Sequence, residues 1–177
     1  PGNNGGDALA VARLLLAEGF KVKVILFNIS NKLSEDCGIN KQRLIDLKYF
    51  NDFTEVTTTF DPPELTADIL VIDGLFGSGL TRPLAGGFAS LVKYINQSPS
   101  KVVSIDIPSG LMAEDNSFNV TANIICADLT LTLHQKKLSF FLSDAQTYLG
   151  RIKVLDIRLS QGFIEKAEAQ FTLLEES

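Results

Sequence analysis

The 177-residue sequence has one histidine, His134, and two cysteines, Cys37 and Cys126, far apart and without CxxC spacing. A zinc or iron centre built from clustered Cys and His therefore has no raw material. The two lone thiols read as reduced, structural cysteines of a cytosolic protein. No Ser-His-Asp triad is suggested, because the single histidine has no nucleophile elbow near it. The G-x-x-x-x-G-K-[ST] pattern of a P-loop is missing, and so is a G-x-G-x-x-G after a strand; the GSG at Gly77 to Gly79 lacks its third glycine. Apolar runs are short and strand-like, too short for a membrane span. Positive charge is scarce: 16 Lys and Arg stand against 21 Asp and Glu, for a net charge of −5 and a pI of about 4.9. A nucleic-acid surface is not expected from that balance. No internal repeat or low-complexity linker is present.

What remains is a globular composition, 45% hydrophobic and 21% charged, of a length that fits one domain with a sizeable core. Helical and strand-like patterns alternate. A helix is predicted over 8–20, with Leu9, Ala12, Leu16 and Phe20 at helical spacing. A second is predicted over 34–50, capped by Ser34, with a stripe of Ile39, Leu44, Leu47 and Phe50. A third covers 84–96. Strands are predicted over 21–27, 68–72, 101–107, 128–133 and 151–157, with a short edge strand at 56–60 broken by Pro62 and Pro63. Continuous apolar strands between helices imply an α/β fold with a mostly parallel sheet covered on both faces. The segment 161–177 is helix-compatible and reads as a connector.

Three motifs fall where open parallel sheets bind ligands, beyond the carboxyl ends of the strands. The first opens the chain as PGNNGGDA. Its glycines free the backbone, and the helix after it offers unpaired N–H groups and a positive dipole end. Asn3, Asn4 and Asp7 add side-chain oxygens, which suit a hard cation or sugar hydroxyls. Such a loop normally follows a first strand, so a strand is expected upstream of it. A simple helix-capping turn is the competing reading, at even odds. The second motif puts Asp73 at a strand end, followed by Gly77, Ser78, Gly79, Leu80, Thr81, Arg82 and Pro83; Ser, Thr and Arg are natural phosphate partners. The third is Ser104-Ile105-Asp106-Ile107-Pro108-Ser109-Gly110. Asp106 is a candidate for proton transfer, with a turn-capping role equally open. His134, Asp128 and the pair Lys136 and Lys137 carry weaker signals. They read as a strand-end residue, a strand start and solvated lysines.

In this order and spacing, GNNGGDA, IDGLFGSGLTRP and IDIPSG resemble the NAD(P)H-hydrate epimerase family, also called the YjeF N-terminal domain. The family patterns are GNNGGDG, VDAxxGTGLxRP and IDIPSG. A later stretch, ADLTLTLHQKKLSF, is also family-like, with Lys137 as the matching lysine. The resemblance implies a Rossmann-like three-layer sandwich with a central sheet over 1–160, an N-terminal strand and helices lying outside this sequence, and a homodimer. It implies interconversion of the R and S epimers of hydrated NADH and NADPH (NADHX and NADPHX), a nicotinamide-nucleotide repair reaction in the cytoplasm. A fused or partner ADP- or ATP-dependent hydrate dehydratase is a further implication. It implies a bound potassium ion, matched to Asn4, Asp73 and Ser109. Asn3, Asn4, Gly5, Gly6, Asp7, Gly77 to Pro83 and Asp106 match the substrate contacts, with Asp106 as the catalytic group. Two positions depart from the pattern: Ala8 replaces its last glycine, and Gly74 replaces its alanine. Some relatives of the domain are non-catalytic binding modules, the alternative reading; the joint presence of Asn4, Asp73, Asp106 and Ser109 favours the enzyme.

Overall fold

The computed structural model describes residues 2–164, 166–168 and 171. Helix α1 spans Asn3–Ala17, α2 Glu35–Ile45 and α3 Gly86–Gln97, with short helices α4 Gln146–Leu149 and α5 Gln161–Ile164. The strands are β1 Val24–Phe27, β2 Phe53–Val56, β3 Leu70–Asp73, β4 Lys101–Ile105, β5 Leu129–Leu133 and β6 Arg151–Leu155. Every strand pairing is parallel, as continuous apolar strands between helices predict. The single central sheet of the prediction is divided, however. Among the described residues β1 pairs only with β2, and a separate sheet runs in the order β3-β4-β5-β6. None of the described helices is long and apolar enough to cross a membrane.

Several predicted boundaries move, for local reasons. Helix α1 starts at Asn3 rather than Ala8, so the glycine-rich run is its first two turns and not a loop. It also stops early. The Gly19 N–H donates to the Leu16 carbonyl and the Phe20 N–H to that of Leu15, a glycine-terminated end with Gly19 at φ +85°. Phe20 is thus outside the helix and 61% exposed. In α2, Ser34 caps as predicted, its Oγ accepting from the Cys37 N–H at 3.3 Å. The apolar face is Cys37 and Leu44, while Ile39 is exposed and Leu47 and Phe50 pack from beyond the helix. The edge strand lies at Phe53–Val56, because its register with β1 joins Phe53 to Val24 and Val56 to Phe27. Strand β4 ends at Ile105, where Asp106 takes φ +66°. Three 3-10 turns, Thr121–Asn123, Leu138–Phe141 and Ser143–Ala145, carry no apolar period to read. The helix-compatible segment 161–177 falls largely outside the described residues.

The core is in three clusters. Leu9, Ala12, Val24, Leu26, Cys37 and Leu44 join α1 and α2 to β1. Leu84, Val92, Ile95, Val102, Ile125 and Ala127 seat α3 on the larger sheet. Ile107, Leu111, Ile124, Phe140, Ala145 and Leu149 form a third cluster, which meets the same face of that sheet at Ile152 and at Thr130, whose hydroxyl donates to the Leu149 carbonyl.

Candidate active site

Strand β3 ends in Asp73, whose side chain is fully enclosed by its neighbours. Its Oδ2 accepts from the Ser109 N–H and the Ser104 hydroxyl, both at 2.8 Å, and its Oδ1 from the Ser109 hydroxyl at 2.5 Å. Burial raises the Asp73 pKa from the ordinary 3.8; the Ser109, Ser104 and Leu75 hydrogen bonds oppose that shift only in part. No cationic side chain pairs with this carboxyl among the described residues.

The first turn of α1 closes over the same point. Its first intrahelical bond runs from the Gly6 N–H to the Gly2 carbonyl, so the preceding amides have no partner within the helix. Asn4 Nδ2 donates to the Phe76 carbonyl at 3.0 Å. The Phe76 N–H in turn donates to Ser109 Oγ at 2.9 Å. Asn4 Oδ1 is buried without a hydrogen-bond partner. Asn4, Asp73 and Ser109, three segments of the chain, thus meet around Phe76. Orphaned buried oxygens are uncommon because each forfeits its hydration. A side-chain amide oxygen, a buried carboxylate and a hydroxyl are the donors a hard cation takes, so these residues fit the implied potassium ion.

Asp106 follows β4 in a three-residue turn, in which the Ile107 N–H reaches the Ile105 carbonyl at 2.8 Å. A non-glycine residue at positive φ stores roughly 1–3 kcal/mol and is held only by surrounding contacts. Those contacts are the Asp106 N–H to the Leu131 carbonyl at 2.8 Å and two donors on Oδ1, the Leu133 N–H at 3.0 Å and Lys137 Nζ at 2.5 Å; Thr132 Oγ1 lies 3.4 Å from the same oxygen, but its one proton has a nearer acceptor in the Gln135 carbonyl at 3.1 Å. The end of β5 repeats the device. His134 has φ +62°, its N–H reaches Leu155, and the Gln135 N–H reaches the Leu133 carbonyl at 2.7 Å.

An open cleft of about 1840 Å³, lined mostly by apolar residues of α1, β1, β3 and the segments beside them, extends to these groups. Asn3, Asn4, Gly5, Asp7, Gly77, Ser78, Gly79, Leu80, Thr81, Arg82 and Asp106 all line it. Partial burial, then the charges of Asp106 and Asp36, raise the Asp7 pKa from the ordinary 3.8. Two expected contacts lie elsewhere. Gly6 faces α2, where a Cβ would sit 3.2 Å from both the Cα and N of Cys37; it lets the two helices approach. Pro83 does not line the cleft, and its neighbour Leu84 enters the core beneath α3. Gly77 leaves room for Asn4, whose Cβ would be 3.0 Å from a Cβ placed there.

Sequence reasoning read Lys137 as solvated and gave Thr132 no role, yet Lys137 holds Asp106 and Thr132 lies against it. Their position at the end of the strand beside β4 was the available signal. Asp128 is the strand-start residue expected, paired with Lys101 and the Val102 N–H at the opposite edge of the sheet.

Comparison with known proteins gives the family. The family described as YjeF-related protein N-terminus matches residues 1–139. The chain belongs to that family. It is 33% identical over 155 residues to an NAD(P)H-hydrate epimerase of Limosilactobacillus fermentum, covering 88% of this chain and 70% of the relative. It is 35% identical over 161 residues to the NAD(P)H-hydrate epimerase of Lentilactobacillus buchneri, covering 91% and 71%. A bifunctional NAD(P)H-hydrate repair enzyme Nnr of Dictyoglomus turgidum is 33% identical over 155 residues, which are 87% of this chain and 29% of that protein. The YjeF N-terminal segment therefore occurs both in shorter epimerases and within longer repair enzymes.

Proposed function

We infer that the protein interconverts the R and S epimers of hydrated NADH and NADPH. One observation carries the reading: Asp106 stands in the cleft with the Leu133 N–H and the Lys137 ammonium both on one oxygen, beside the open N-terminal turn of α1.

The hydrate bears a hydroxyl on the ring carbon next to nitrogen. Protonation of that hydroxyl lets the nitrogen lone pair form a C=N bond as the C–O bond breaks and water leaves. Water then adds to the other face and gives up a proton, and the electron pair of the C=N bond returns to nitrogen. The net change is inversion at one carbon with no gain or loss of atoms. Asp106 is assigned the proton donation and the proton removal, work worth typically 10²–10⁴-fold in rate. The free amides of α1 and the side chains of Ser78, Thr81 and Arg82 suit the pyrophosphate.

Asn4, Asp73 and Ser109 are the proposed potassium ligands. A bound potassium ion would supply positive charge next to the pyrophosphate and tie the three ligand segments together. The same reading includes a homodimer, a cytoplasmic setting and a fused or partner hydrate dehydratase; the bifunctional relatives support the last of these.

The test is epimer exchange. Pure R-form NADHX in potassium buffer is followed to the S form by chromatography, with Asp106→Asn as control. Asparagine tolerates positive φ, so this variant keeps the turn. Fast conversion by the wild type, reduced at least about 100-fold in the variant, is expected. Conversion no faster than buffer in both proteins would shift the assignment to a binding module.

A further inference from the structure

We propose that Lys137 is a positioning residue for the epimerisation, acting through Asp106; the inference rests on the function assigned above. Its ammonium lies 2.5 Å from Asp106 Oδ1 and is itself surrounded, with Thr132 Oγ1 at 3.2 Å, the Gln135 carbonyl at 3.3 Å and the Leu133 carbonyl at 3.4 Å. Three donor hydrogens among four acceptors leave nothing to offer a ligand. Lys137 is absent from the cleft wall, and its side chain is only 16% exposed. It cannot be a substrate contact in this arrangement.

What it does is decide which oxygen Asp106 presents. The Leu133 N–H and Lys137 Nζ both converge on Oδ1. A carboxylate gripped on one oxygen by a backbone amide and an ammonium cannot rotate freely, so Oδ2 is the oxygen left for the cleft. The grip depends on charge as well as geometry. The polar end of the cleft gathers Asp7 and Asp106, and the proposed substrate brings a further anionic pyrophosphate. Lys137 is the one cation in hydrogen-bond contact with Asp106 among the described residues. Without it, two carboxylates and a pyrophosphate would share the cleft with no counter-charge at the reacting group.

The backbone is built to deliver this ammonium. His134 reverses the chain at φ +62°, and the segment that follows curls until Lys137, which precedes the Leu138–Phe141 turn, points back along β5. Three of the four acceptors belong to the segment 132–135, so the loop closes around its own lysine. The fourth is Asp106 on the neighbouring strand. Lys137 therefore locks together the two positive-φ turns at the ends of β4 and β5.

The experiment compares kcat, KM and melting temperature for wild type, Lys137→Met and Lys137→Cys, the last in a Cys126→Ser background because Cys126 is exposed. The cysteine variant is treated either with 2-bromoethylamine, which restores a lysine-length ammonium, or with iodoacetamide, which gives a neutral adduct. Loss of a preorganised electrostatic contact predicts a drop in kcat of roughly 10²-fold, with KM little changed; a fall in melting temperature accompanies it, because the contact also ties the two turns. The aminoethyl adduct recovers at least a tenth of wild-type kcat and the neutral adduct does not. Unaltered kcat in Lys137→Met overturns the proposal. So does equal activity of the two adducts, a comparison that holds even if Lys137→Met folds poorly. A wild type that fails to exchange epimers instead rejects the assigned function.

Discussion

Ala8 and Gly74 are a matched pair. A Cβ on Gly74 would lie 2.6 Å from the Ala8 Cβ and 3.2 Å from the Asn4 carbonyl oxygen. The family pattern quoted above has the opposite arrangement, glycine on the helix and alanine after the strand. Only one methyl group fits where α1 crosses the end of β3, and in this chain the helix carries it. Each departs from the pattern by itself; in contact the two compensate each other. Gly74→Ala alone is therefore expected to destabilise by about 1–3 kcal/mol through overpacking. Adding Ala8→Gly relieves the clash and leaves a helix-propensity cost of about 1 kcal/mol. Denaturant titration of both single variants and the double variant checks this. Simple addition of the two single effects would mean that the residues do not share the space.

At the scale of elements, the site is the meeting of three segments that are distant in sequence: the first turn of α1, the end of β3 and the end of β4. Asp73 is buried without a cationic partner, and Asn4 Oδ1 has no partner at all. A cation bound to these oxygens stabilises only the folded chain, by about 2.7 kcal/mol at 100 times its Kd, or about 2–4 °C per kcal/mol at this length. Potassium is expected to raise the melting temperature above that in choline chloride of equal ionic strength. In Asp73→Asn that increment disappears. An equal increment in wild type and variant would remove Asp73 from the cation site. Much of this architecture was legible in the sequence. Parallel strands appear as uninterrupted apolar runs, and Asp73 and Asp106 stand at their ends as carboxylates. The opening run was misread as a loop because Gly and Asn are poor helix formers; packing of Gly6 on Cys37 overrides that preference. Lys137 matches the family's lysine, but its contact with Asp106 is not legible in the residue pattern. It reaches Asp106 across 31 residues of sequence, by way of a positive-φ turn that no periodicity records.

At the largest scale the described residues form two sheets. The β1–β2 sheet has its own core cluster with α1 and α2, while β3 to β6 are packed by two others. Among the described residues no strand pairing links the sheets, and an isolated two-stranded sheet is marginal by itself. Two sets of contacts help to join them. One is the amino end of α1, through Asn4 to Phe76 and Ala8 to Gly74. The other is a chain of edge-to-face rings, Phe60 to Phe27 at 5.0 Å, Phe27 to Phe88 at 6.0 Å and Phe88 to Phe76 at 5.0 Å. Each ring pair contributes about 0.5–1.5 kcal/mol beyond its burial, so this chain is a substantial part of the joint. Regions with few connecting contacts open below the global unfolding free energy. Amides of β1, β2 and α2 are therefore expected to exchange hydrogen faster than those of β4 and β5. Phe88→Ala, which removes the central ring, should accelerate exchange in β1 and β2 while leaving β4 and β5 at wild-type rates. If that variant loosened all the strands together, the two sheets would be one cooperative unit despite their separate hydrogen bonding.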